Sequence, residues 1–105
     1  MTKQVKLQFI YQFDPVRPEL VTDSEAWTEK DVEIGKAHFV YLEEATRKGT
    51  VLLAGCSQDG ISPAIVNFEA DSDESAREFM ENDPFISGGL MTGSLHPFRA
   101  ALVRE

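Results

Sequence analysis

The sequence contains little cysteine and no long apolar run. Cys56 is the single cysteine among 105 residues, which excludes an intrachain disulfide and a cysteine-rich zinc motif. No window approaches the ~20 consecutive apolar residues that a membrane-spanning helix requires. No apolar stretch of the kind found in secretory signal peptides follows the start of the sequence, Met1 to Lys6. These absences predict a cytoplasmic protein.

Positive charge is also scarce. Ten Lys and Arg stand against eighteen Asp and Glu, which leaves a formal net charge of -8. Nucleic-acid binding needs clustered cations, and an anionic membrane surface would repel such a chain. We therefore expect neither a nucleic-acid nor a membrane partner. The length predicts one domain over residues 1–105, and a chain this small has a thin stability margin that favours a homodimer.

Hydrophobic periodicity predicts the element order β-α-β-β-α-β. Strict alternation predicts a first strand over 5–13, with Val5, Leu7, Phe9, Tyr11 and Phe13 on its buried face. The next predicted elements are a helix that begins after a capping box at Thr28 or at Thr22 and ends before Gly49, a well-buried strand over 50–56 and a strand over 64–70. They are followed by a helix capped by Asp71 or Ser72 that ends near Asp83, a loop or short turn over 85–93, and an edge strand over 94–103.

This order predicts an α+β, ferredoxin-like sandwich, with two helices on one face of a four-stranded antiparallel sheet. The other face would be uncovered and would present Gln8, Ile10 and Gln12. Either Val66 and Phe68 or Ile65 and Asn67 would share that face. A second copy of the chain is the simplest cover for it.

Two residues are the main candidates for chemistry. His38 lies in the apolar stripe of the first long helix, where an imidazole without a partner costs about 1–3 kcal/mol. Either its imidazole is hydrogen-bonded to a backbone carbonyl or to water and has a structural role, or it acts as an acid–base group in catalysis. Asp83 before Pro84 is ordinary helix-capping chemistry. Because the two helices run antiparallel, however, Asp83 could also reach His38 and fix its tautomer.

For each of the weaker candidate residues, a structural role is the alternative to a functional one. His38, His96 and Asp83 are allowed metal ligands, but their spacing matches no metal motif. Cys56 is more typical of a small buried thiol than of a nucleophile. Gly88 and Gly89 either let backbone approach a ligand or simply turn the chain. The aromatic residues are mainly predicted in the core, with one or two lining a pocket: Trp27, Phe39, Tyr41, Phe79 and Phe85.

Four segments carry a family resemblance. They are His38-Phe39-Val40-Tyr41-Leu42, Gly49-Thr50-Val51-Leu52-Leu53-Ala54-Gly55, Phe79-Met80-Glu81-Asn82-Asp83-Pro84-Phe85 and Pro97-Phe98-Arg99. In order and spacing they resemble the YCII-like (YciI) family over nearly the whole chain.

The resemblance implies a dimeric α+β barrel built from ferredoxin-like subunits. It also implies an active-site pair, the family's helix histidine and Asp-Pro aspartate, which match His38 and Asp83. The arginine that some members carry shortly before the histidine has no counterpart in the stretch from Ile34 to His38. A few proteins that look related act on chlorinated hydroxyquinones or muconolactones, by elimination or isomerisation.

Two functions follow as hypotheses. The first is a small enzyme in which His38 and Asp83 perform acid–base catalysis on a small organic molecule, aromatic or lactone, without a metal or an organic cofactor. Its predicted substrate-binding residues are Tyr41, Phe85, Gly88 and Gly89. The second is a non-catalytic module that binds a small molecule or assists assembly on the same dimeric scaffold.

Overall fold

The computed structural model describes residues 7–59 and 64–102. Its elements are β1 (Leu7–Pro15), α1 (Glu19–Thr22), a 3₁₀ turn (Ser24–Ala26), α2 (Glu29–Arg47), β2 (Val51–Cys56), β3 (Ala64–Ala70), α3 (Asp73–Glu81), α4 (Pro84–Ser87) and β4 (Met91–Pro97). The sheet has the order β2-β3-β1-β4, and every neighbouring pair is antiparallel. This is the predicted ferredoxin-like arrangement.

The alternation in β1 separates the two faces of the sheet. Phe9, Tyr11 and Phe13 are buried beneath the helices, whereas Leu7 is exposed at the end of the strand. Val5, which was predicted to share the buried face, lies outside the described residues. Phe9 and Tyr11 form the centre of an aromatic core, because a central strand contributes side chains to the middle of the layer.

Strand register settles which β3 residues lie under the helices. Phe9 pairs with Phe68 and Tyr11 with Val66, and both β3 partners are fully buried. Cross-strand partners point to the same face of a sheet. The opposite face therefore carries Ile65 and Asn67, which was the second of the two predicted alternatives.

The long helix α2 begins at the capping box predicted from Thr28. The Thr28 hydroxyl accepts the Asp31 N–H at 3.1 Å, and the Asp31 carboxylate accepts the Thr28 N–H at 3.0 Å. The Thr28 N–H and the Arg17 guanidinium, 2.7 Å from Asp31, hold the pKa of this carboxyl below its usual value. Thr22, the alternative start, instead ends the short helix α1. At the other end Gly49 takes a φ of +88°, a conformation that suits glycine after a helix.

Two predictions on the second half of the chain need correction. The predicted loop over 85–93 contains α4, which Asp83 caps and Pro84 opens. Strand β4 begins at Met91 rather than Ser94 and ends at Pro97 rather than continuing towards Val103, which itself lies outside the described residues. Gly93 lets the strand pack closely beneath α3, since a Cβ there would lie 2.7 Å from the sulfur of Met80.

The predicted burial of β2 is wrong for all but Val51. Leu52 and Leu53 are 45% and 53% exposed, because β2 is an edge strand whose register with β3 shifts between Val51 and Leu53. Cys56 at its end is exposed rather than buried. Phe39 is likewise 65% exposed on α2 and does not belong to the core.

Within the described ranges, no helix has the combination of length and apolar character that crossing a bilayer would need. The predicted edge position of β4 is confirmed.

Candidate functional site

The site is centred on a contact between two residues that are far apart in the sequence. His38 projects from the middle of α2, and its Nδ1 lies 2.7 Å from Oδ1 of Asp83. The imidazole is mostly covered, with 16% of the side chain exposed, whereas the carboxylate has no exposure at all. The structure thus brings together the two residues that sequence reasoning singled out.

Asp83 is held by more than the histidine. Its Oδ1 also accepts the Phe85 N–H at 3.0 Å, as expected for the residue that caps α4. Its Oδ2 accepts the Tyr11 hydroxyl at 2.8 Å. The capping role and the histidine contact therefore coexist in one side chain, because the two carboxylate oxygens supply several acceptor sites.

These bonds determine the tautomer of His38. Both oxygens of Asp83 already act as acceptors, towards Tyr11 and Phe85. The remaining contact needs a donor, so Nδ1 of His38 carries the hydrogen. In the neutral imidazole, Nε2 is then the nitrogen without a hydrogen and can accept a proton.

Aromatic rings fix the plane of the imidazole. Phe85 stacks on it with ring centroids 3.7 Å apart and a 12° angle between planes, and Phe13 meets its edge at 5.4 Å. Trp27 lies behind Phe85 at 6.3 Å and passes over Gly35, where a Cβ would be 3.3 Å from the indole. The indole N–H donates to the Leu20 carbonyl at 2.8 Å. The imidazole is consequently confined to one orientation.

Two tyrosines stay protonated in this environment. Burial, together with the negative charge of Asp83, raises the pKa of Tyr11 far above its usual range. Burial and the same charge raise the pKa of Tyr41 to about 12. The Tyr41 hydroxyl donates to the Phe79 carbonyl at 2.7 Å, so it is already engaged with backbone.

The two predicted substrate-binding glycines have different surroundings. A Cβ on Gly88 would lie 2.6 Å from the Pro84 carbonyl oxygen and 3.0 Å from Ile34, so this position packs α4 closely against α2. Gly89 has a φ of +81°, and nothing lies within 4 Å of its Cβ position. Gly89 therefore leaves open space beside the backbone, and a ligand contact by either residue stays a prediction.

His96 lies on the other side of the sheet from the contact. His96 pairs with Ile10, which alternates with Tyr11 and so faces the other side of the sheet. The possible set of His38, His96 and Asp83 is thereby separated. In the part of the chain that the structure describes, no group of three His, Cys, Asp or Glu residues could hold a metal ion.

A surface cavity of about 500 Å³ lies at the far end of α3 from Asp83. It is lined by Leu7, Gln8, Phe9, Asp73, Pro97, Phe98 and Arg99. The predicted pocket between the helices and the sheet, with Gly88 and Gly89 at its mouth, is a different place and stays a prediction.

Comparison with known proteins identifies the family. A sequence model described as the YCII-related domain matches residues 19–95. The chain belongs to the YCII-related family. Among solved structures it is similar to 5-chloro-2-hydroxyhydroquinone dehydrochlorinase from Burkholderia phenoliruptrix in complex with 2,5-dihydroxybenzoquinone. That likeness has a TM-score of 0.64 at 22% identity and covers 89% of this chain and 94% of the other, which confirms the fold. No curated protein matches the chain.

Sequence reasoning assigned Tyr11 to the core and missed its contact with Asp83. A signal was present: Tyr11 places a hydroxyl on a face that Phe9 and Phe13 make wholly apolar. A buried tyrosine hydroxyl needs a partner. The sequence alone offered no means of choosing Asp83 as that partner.

Proposed function

We propose that this YCII-related protein is a small enzyme that uses His38 as a general acid–base group on a small organic substrate. The observation that carries the proposal is the 2.7 Å contact between Nδ1 of His38 and the fully buried Asp83 carboxylate. A histidine oriented in this way presents a basic Nε2 to a substrate, and the buried carboxylate stabilises the imidazolium that forms.

The proposed step is a proton transfer next to a carbonyl or phenolic centre. Nε2 of His38 takes the proton, and the electrons of the broken C–H bond move towards the activated centre. In an elimination they form a double bond as a leaving group departs with its own bonding pair, and the imidazolium later loses its proton to water. In an isomerisation the imidazolium returns the proton to another carbon. Neither route consumes an oxidant or a reductant.

The substrate class is proposed from the family and the ring environment. The structurally similar dehydrochlorinase acts, by its name, on a chlorinated hydroxyquinol and was solved with a dihydroxybenzoquinone. Here Phe85 and Phe13 surround the imidazole with aromatic rings. We propose an aromatic or lactone substrate held near Tyr41, Phe85, Gly88 and Gly89.

The proposed setting is a homodimer in the cytoplasm, with one domain over residues 1–105. The exposed, unpaired thiol of Cys56 suits a reducing compartment. The described helices that pack on the sheet place Leu42, Ala45, Ala76 and Met80 in the core with Phe9 and Tyr11. The opposite face, with Ile10 and Ile65, is therefore available to a second copy as its cover.

The alternative is a non-catalytic binding or assembly module. It predicts a histidine bonded to a backbone carbonyl away from Asp83. The contact of His38 with the Asp83 carboxylate favours the catalytic proposal instead.

The test follows proton transfer directly. The protein is incubated in D₂O with 5-chloro-2-hydroxyhydroquinone, hydroxybenzoquinones and unsaturated lactones, and deuterium uptake and chloride release are measured. We expect turnover of at least one compound. His38→Gln removes the proton acceptor and should lower the rate roughly 10²–10⁴-fold. Asp83→Asn removes the carboxylate that orients it and should cause a loss of similar size.

The matched control is His96→Gln, which replaces the other histidine on the far side of the sheet and should keep the wild-type rate. A His38→Gln variant that folds and keeps the wild-type rate would overturn the proposal. Binding of these compounds without deuterium uptake or chloride release would favour the binding module.

A further inference from the structure

The hydrogen bond between Tyr11 and Asp83 joins two fully buried side chains. Both side chains have no exposed surface, and the hydroxyl lies 2.8 Å from Oδ2. The two residues are 72 positions apart in sequence, so the contact joins the central strand β1 to the N-cap of α4.

A carboxylate without access to water must be stabilised by protein donors. Oδ1 of Asp83 accepts from His38 and from the Phe85 N–H, and both donors lie on the helix layer. If only Oδ1 were held, the carboxylate could rotate about its Cβ–Cγ bond. The Tyr11 hydroxyl holds Oδ2 from the sheet and prevents this rotation.

Tyr11 is itself rigidly placed. Its ring makes edge contacts with Phe13 and Phe68, at centroid distances of 5.2 and 5.5 Å. Phe13 in turn contacts the imidazole of His38. The raised pKa of Tyr11 keeps its hydroxyl protonated, so it remains a donor.

We propose that Tyr11 is a positioning residue for His38. By holding Oδ2 of Asp83, it keeps Oδ1 directed at Nδ1 of His38, in the tautomer that leaves Nε2 free. This inference rests on the proposed function for its meaning in catalysis, but its structural content can be measured without any substrate.

The experiment is ¹⁵N NMR of the histidine side chains at a pH where the imidazole is neutral. In the wild type we expect well-separated shifts for His38, with a protonated Nδ1 and an unprotonated Nε2. In Tyr11→Phe the two shifts should move towards each other, because the freed carboxylate allows a mixture of tautomers. With an active substrate, kcat should fall roughly 10-fold at little change in KM, the scale on which partners behind a ligating histidine act.

The matched control is Tyr41→Phe, which also removes a partly buried tyrosine hydroxyl with a 2.7 Å hydrogen bond, in this case to the Phe79 carbonyl. Its His38 spectrum should equal that of the wild type. An unchanged tautomer in Tyr11→Phe, or an equal change in both variants, would overturn the role of Tyr11.

If Tyr11→Phe does not fold, the wild-type spectrum still tests the proposal. A protonated Nε2 of His38, or a mixture of tautomers, in the wild type contradicts the proposal. Failure of the proposed function is a separate result. If the protein turns over no compound while His38 keeps a single tautomer that depends on Tyr11, only the proposed function fails. If the enzyme is active and the tautomer is unchanged in Tyr11→Phe, only the role of Tyr11 fails.

Discussion

Gly88 and Gly89 are adjacent at the end of α4, and their missing side chains serve different purposes. Gly88 brings the backbone of α4 against Ile34 on α2, the helix that carries His38. Gly89 adopts a positive φ that lets the chain turn into β4. Close packing at Gly88 therefore helps to set the distance between the histidine and the helix that Asp83 caps.

Gly88→Ala is expected to destabilise the protein by about 1–3 kcal/mol, because overpacking at a position with no free space forces backbone to move. The nearest obstacle is a backbone oxygen, that of Pro84, which cannot rotate away. Chemical denaturation of the variant and of the wild type measures the difference in their free energies of unfolding. Gly55→Ala is the matched control: nothing lies within 4 Å of its Cβ position, so its change should stay within about 0.5 kcal/mol. Equal effects of the two substitutions would contradict the packing argument.

At this scale the sequence indicated the contact between His38 and Asp83, because a polar group interrupts an apolar pattern. His38 in a helical stripe signalled a needed partner, and antiparallel helices brought Asp83 within reach. Tyr11 was hidden because tyrosine also counts as an ordinary core residue. The neighbour that stacks on the imidazole, Phe85, could be named only as a candidate, since ring orientation depends on packing and leaves no trace in sequence spacing.

Among the elements, α2 determines the position of the imidazole. Its start at Thr28 sets the helical phase in which Ile34, His38 and Leu42 face inward. Besides the capping box at Thr28, the Arg17–Asp31 ion pair anchors the start of α2, because it joins the segment after β1 to the first turn of the helix.

Thr28→Ala should cost about 1 kcal/mol of stability, because it removes the side-chain acceptor of the capping box. Thermal and denaturant unfolding of the variant measure the loss. Thr22→Ala is the control, since that hydroxyl makes only an exposed 3.5 Å contact with the Pro18 carbonyl; its change should remain within about 0.5 kcal/mol. A larger loss for Thr22→Ala than for Thr28→Ala would indicate that the helix is anchored earlier in the chain.

Element type was more predictable than element burial or boundary. The alternation in β1 and the stripe in α2 are long patterns with strong periodicity. The apolar run of β2 predicted a buried strand, but its position at the sheet edge depends on topology, which a local run does not encode. Asp83 and Pro84 indicated a helix cap, but the extent of α4 could not be predicted, because four residues are too few to establish a periodic pattern.

At the scale of the whole molecule, one face of the sheet and the net negative charge have opposite effects on dimer formation. The described helices pack on the sheet face opposite to Ile10 and Ile65, which leaves that face to a second copy, whereas two chains of charge -8 repel one another. Salt screens repulsion between exposed charges over roughly 10 Å at 0.1 M ionic strength.

We therefore expect sedimentation analysis to give twice the mass of the chain, with association that strengthens as salt is raised. Ile65→Lys should yield a monomer, because it places a charge on the sheet face. Val40→Lys, a charge added to the exposed surface of α2, should remain dimeric. A monomeric wild type, or dissociation caused by Val40→Lys alone, would contradict this use of the sheet face.

The chain has one tryptophan, Trp27, and only the ring of Phe85 lies between its indole and the imidazole of His38. All of the indole fluorescence of the protein thus originates beside Phe85. A molecule that displaces or covers that phenyl ring changes the surroundings of the emitter, so occupancy of the site can be followed by light emission alone, with no label attached.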